Sequence, residues 1–145
     1  MALAVDSRPS ARVRRHSPEP QEPVILLDTS ALIWLDNGHR RARVLTRDAR
    51  PLYVSPVSLL ELQILQEGGR IQLPRGDAHA MAVDDRWKLD DPPAASWFAT
   101  AHELSWTREP FDRLLAAHAR LRGWRLATAD ATLLEGLGPR YTLEL

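Results

Sequence analysis

The chain has 145 residues, 44% hydrophobic and 26% charged, with 19 basic residues matched by 19 acidic ones and no cysteine. That length suffices for one domain with a buried core, and the lack of cysteine excludes disulfides, thiolate metal sites and cysteine nucleophiles. Zero net charge leaves no global electrostatic signature for nucleic acid, and no apolar run reaches membrane-spanning length.

Residues 1–22 hold Pro, Arg, Ser and His with almost no aliphatic pattern, so a disordered extension is expected there, with one ordered domain over 23–145. The first residues do not read as a secretory signal, and a cytoplasmic location is expected. Val24–Leu27 fits a short buried strand, and Thr29–Leu35 a helix stopped by Asn37-Gly38. "HRRARVLTRDAR" reads as a basic helix, and Leu52–Val54 as a second strand. In "SPVSLLELQILQEGG", Ser55 suits the N-cap, Pro56 the first helical position and Gly68-Gly69 the stop. A third strand falls around Arg86–Leu89, followed by helices in "PPAASWFATAHELSW" and "EPFDRLLAAHARLRG". Trp124–Thr128 is a fourth strand that runs into the short helix "ADATLLEGLG", and Tyr141–Leu143 forms an edge strand. Strands alternating with helices predict a three-layer α/β/α sandwich with a mostly parallel sheet.

Sites in open parallel sheets form at the carboxyl ends of strands. Asp28 and Asp130 stand there after the first and fourth strands, and Asp112 lies in the first turn of the helix before the fourth. Each has a local explanation, because Asp caps helices and complements their dipoles. Glu61 is harder to explain locally. It falls inside its helix on the side of Val57, Leu60, Ile64 and Leu65, with no Lys or Arg three or four residues away. Carboxylates gathered together repel and are held by bound cations. With no cysteine and no paired-His spacing, an all-oxygen site points to Mg²⁺ or Mn²⁺.

The segments "LLDTSALIWL", "VSPVSLLELQILQEGGRIQL" and "REPFDRLLAAHARLRGWRLATAD" occur in the order seen in PIN-domain ribonucleases, and the chain resembles the VapC toxin type of that family from Pro23 onward. The resemblance implies that Asp28, Glu61, Asp112 and Asp130 are the catalytic, metal-binding acids. It makes Ser30 and Thr128 polar supports, and Arg113 a residue for substrate phosphate or for orienting a carboxylate. It implies Mg²⁺- or Mn²⁺-dependent hydrolysis of RNA to 5′-phosphate and 3′-hydroxyl ends, a protein antitoxin that covers the cleft, and a homodimer. Glu109 departs from the Asp common at that position, and residues 1–22 are an addition to the family pattern.

His102 and His118 read as helix residues, and Trp34, Trp97, Trp106 and Trp124 as core or self-association residues, with nucleotide stacking as the alternative. Arg40, Arg41, Arg43 and Arg47 suit either a phosphate-binding strip or a solvated face. Two rivals to the nuclease remain at this level. One is a non-catalytic partner-binding domain. The other is an aspartyl-phosphate phosphatase, whose second acid would fall where this chain has Ser30.

Overall fold

Ile25, Leu26 and Leu27 are apolar in succession because strand β1 (Ile25–Leu27) is covered on both faces, and all three are fully buried. The computed structural model describes residues 24–145 apart from 48–49 and 74–75, so the expected extension over 1–22 lies outside the described residues. Strands β2 (Leu52–Val54) and β4 (Arg125–Thr128) flank β1, with Leu26 level with Tyr53 on one side and Leu126 on the other. Strands β3 (Lys88–Leu89) and β5 (Thr142–Glu144) complete a five-stranded sheet in the order β3-β2-β1-β4-β5, every pairing parallel. The strand order reverses between β1 and β4. A parallel sheet opens a crevice there, at the strands' carboxyl ends.

Alternation along the strands sends their side chains to two layers. Ile25, Leu27, Val54 and Ala127 pack under helices α1 (Thr29–Asn37), α2 (Pro56–Glu67) and α3 (Ala78–Ala82), with Leu32, Leu62, Met81 and Trp87. Leu26 and Leu126 pack under α4 (Ala94–His102), α5 (Pro110–Arg122) and α6 (Ala131–Leu137), with Trp97, Leu115 and Leu133. The α/β/α sandwich predicted from the alternation of elements is the fold observed.

Local signals end the helices where the sequence indicates. Gly38 and Gly123, at φ of 69° and 73°, close α1 and α5 in the left-handed region that glycine enters without strain. The stretch expected as a basic helix is a 3₁₀ segment, Arg40–Thr46, which presses Ala42 and Leu45 into the core while its arginines stay exposed. It follows the far end of α1, nine residues or ~13 Å of helical rise from Asp28.

Candidate metal centre

The site is built from backbone turns that need an acid for their own reasons. Asp28 leaves β1 in extended conformation and accepts the Ala31 N–H at 2.7 Å, capping α1. Asp130 does the same for α6, accepting the Leu133 N–H at 3.0 Å. Each cap occupies one lone pair of a carboxylate that offers about four. Capping and cation binding are therefore compatible in the same side chain.

Thr128, fully buried at the end of β4, ties the two acids together. Its oxygen accepts the Asp130 backbone N–H at 3.0 Å, and its hydroxyl is hydrogen-bonded to the Asp28 carboxylate. A second hydroxyl link was not visible in the sequence. Thr29, the residue after Asp28, meets Glu61 at 2.5 Å and Ser58 at 3.1 Å. Thr29 has one proton. The shorter contact to the carboxylate takes it, so the buried Ser58 hydroxyl donates to Thr29 in turn.

Glu61 therefore has a partner, and its helix face differs from the expectation. Leu60 and Ile64 are 55% and 46% exposed, and the residues α2 buries are Val57, Ser58 and Leu62. Glu61 is half-buried at the edge of that buried stripe rather than inside an apolar face.

Asp112 lies in the first turn of α5, where its backbone N–H is accepted by the Glu109 carboxylate at 2.6 Å. Glu109 is thus the N-cap of α5 and a second acid beside Asp112. Among the described residues, Arg113, next to Asp112, has no carboxylate partner. Its guanidinium donates to three backbone carbonyls, Ala101 at 2.7 Å, His102 at 3.1 Å and Thr107 at 3.2 Å. These bonds fix the loop between α4 and α5. Ser30 is exposed on α1.

The four acids sense one another. Burial pushes the Asp28 carboxyl up to about 6, against the Thr128 and Ala31 hydrogen bonds, with Glu61 and Asp130 adding repulsion. Asp112 is pushed up to about 7 by burial, then by the charges of Glu109, Asp130, Glu61 and Asp28. Glu61, Asp112 and Asp130 come from three different helices and converge electrostatically on the buried Asp28 at the switch point. Among the described residues, no three acids or imidazoles stand close enough to enclose a cation as they are. The donor set itself, all carboxylate and hydroxyl oxygen around partly desolvated negative charge, has the chemistry of a hard divalent cation site. A cation would offset both the burial of these charges and their mutual repulsion.

Solved structures of other proteins share this architecture. A toxin–antitoxin complex from Klebsiella pneumoniae aligns at a TM-score of 0.53 and 21% identity, covering 82% of this chain and 99% of the other. VapBC2 from Rickettsia felis, bound to a DNA fragment from its promoter, aligns at 0.59 and 16%, covering 84% and 98%. PAE2754 from Pyrobaculum aerophilum aligns at 0.56 and 21%, covering 84% and 89%. No curated protein matches the chain in sequence. The family model of the PIN domain matches residues 25–135, from the start of β1 almost to the end of α6 and across all four acids. The chain belongs to the PIN-domain family.

Proposed function

We propose that the chain is a divalent-cation-dependent endoribonuclease, the toxin of a VapC-type toxin–antitoxin pair. The observation that carries this reading is the set of four acids around the β1/β4 switch point, with the Asp28 and Asp112 carboxyls raised by burial and by the charges of their neighbours. Membership of the PIN family supports a nuclease, and the toxin–antitoxin complexes among its structural relatives support an antitoxin partner.

Asp28, Glu61, Asp112 and Asp130 would hold Mg²⁺ or Mn²⁺. The bound cation supplies charge for a phosphoryl oxygen and lowers the pKa of water. The chain's own contribution is orientation. Thr128 holds Asp28 and the Asp130 turn in register, and the Ser58–Thr29 relay holds Glu61. The α1 and α6 caps fix two carboxylates to rigid helix starts, which limits the entropy lost when a substrate is bound. Leu60 and Ile64 form an exposed apolar rim beside Glu61 that suits an antitoxin segment covering the acids, and a homodimer completes the proposed assembly.

End-labelled RNA incubated with the purified chain tests the reading. Cleavage in Mg²⁺ that leaves 5′-phosphate ends, and none in EDTA, is expected. Undiminished cleavage in EDTA would overturn the metal mechanism. A partner-binding domain that cuts nothing is the second reading, favoured by the spacing of the acids, which do not close on a cation as they stand. Antitoxin binding with no cleavage in any divalent metal would select it.

A further inference from the structure

The loop that Arg113 fixes carries Trp106. The ring packs on the α4/α5 core and lies so close to α6 that a Cβ at Gly136 would come within 2.3 Å of it. Trp106 is thereby closely packed while still half-exposed. Trp106, Thr132, Glu135 and Gly136 line a cavity of about 420 Å³, within the range of small-ligand pockets, roughly 300–1,000 Å³.

Thr132, Glu135 and Gly136 are exposed on α6, so the cavity opens to solvent and its polar groups are free to meet a ligand. Trp87 and Trp97 donate their indole N–H groups to Met81 and Leu114 carbonyls. Among the described residues, the Trp106 indole N–H, the Thr132 hydroxyl and the Glu135 carboxylate have no such partner. Thr132 follows Asp130 by two residues in the first turn of α6, and Trp106 precedes Glu109, the cap above Asp112, by three. The cavity is thus lined by α6, which Asp130 caps, and by the loop that leads into α5 and Asp112.

Among the described residues no arginine or lysine lines it, and Glu135 would repel a phosphate. A flat, uncharged ring with an amino edge fits these walls. Its face would stack on the indole, and its amino group would donate to the carboxylate, as cytosine N4 does to Glu or Asp. Resting on the ribonuclease reading above, we propose that this cavity is a nucleobase subsite in which Trp106 stacks and Glu135 selects an amino-bearing base, cytosine over uracil.

The test uses the full chain carrying Asp28→Asn, with Mg²⁺ present, so that an RNA probe stays intact. Binding of octacytidylate and octauridylate is measured with Trp106, Trp106→Phe, Trp106→Ala or Glu135→Gln in that background, alongside cleavage by the chain with Asp28 restored. Trp106→Ala should weaken octacytidylate binding about 5- to 150-fold, the range for loss of one base stack. Trp106→Phe should retain most of the affinity, and Glu135→Gln should erase the preference for cytosine. The Trp106→Phe protein also identifies which of the five indole N–H NMR signals belongs to Trp106. That signal should shift on titration with cytidine monophosphate, which guards against misfolding of the alanine variant. RNA binding and cleavage that ignore both residues, with the Trp106 signal unmoved, would overturn the subsite and leave the nuclease intact. A nucleotide-dependent Trp106 signal in a chain that cuts no RNA would support the subsite and reject the nuclease. No signal shift and no RNA binding would reject both.

Discussion

Asp28 and Asp112 are the two side chains whose charge the fold holds at a disadvantage, and this has consequences for both activity and stability. Their carboxyls sit at about 6 and about 7, above the ordinary 3.8. A group raised in the folded state adds stability that is full below its unfolded pKa and is lost as pH rises through the folded value. The metal-free protein should therefore lose stability as pH rises from about 4 to about 7 on account of these two groups, as read by melting temperature against pH. Asp112→Asn should flatten that dependence and melt no lower than the parent at pH 8, while losing cleavage. Asp28→Asn keeps the oxygen that caps α1 and should also fold. Thr128→Val removes the hydroxyl between Asp28 and Asp130, and a roughly 10–100-fold loss of activity is expected, as for supports of metal ligands. Asp28 and Asp130 were readable as strand-end acids that cap the following helices, because each follows a strand-like run. The Thr29–Glu61 bond was not, since it joins residues 32 apart that only the packing of α1 on α2 brings together.

Elements place these residues, and their own fastenings can be tested separately from the site. Asp90, just after β3, receives hydrogen bonds from Arg122 at 2.8 and 3.1 Å and meets the fully buried His118 Nε2 at 2.7 Å. Burial alone would raise the Asp90 carboxyl, but Arg122 and His118 hold it below its usual value. This cluster joins the β3 edge to α5. Asp90→Ala should cost about 1–3 kcal/mol in urea unfolding, because it strands the buried imidazole. Gly136→Ala should cost about 1–3 kcal/mol as well, by driving a methyl group into the Trp106 ring. Helix α2 shows where periodicity stops being informative. Val57, Leu59, Leu60, Leu62, Ile64 and Leu65 leave few sides of that helix polar, so the stripe facing the sheet depends on tertiary packing and not on spacing. The 3₁₀ course of Arg40–Thr46 has the same origin, since two inward residues, Ala42 and Leu45, anchor it.

At the scale of the whole molecule, strand order does most of the functional work. The reversal between β1 and β4 puts two strand-end acids side by side, and α2 and α5 bring one more each from opposite layers of the sandwich. The parallel sheet followed from alternating elements, whereas its order could not, because short strands of similar composition do not specify their neighbours. No helix among the described residues is long and apolar enough to cross a membrane. A cation that binds only the folded chain should raise its unfolding free energy by about 2.7 kcal/mol at a hundred times its dissociation constant. The most direct test of the claim that four acids form one cation site is calorimetric titration of the purified chain with Mn²⁺ at pH 8. Saturable binding is predicted, lost or greatly weakened in Asp28→Asn and Asp112→Asn proteins that remain folded. Equal Mn²⁺ affinity in the parent and both variants would contradict it.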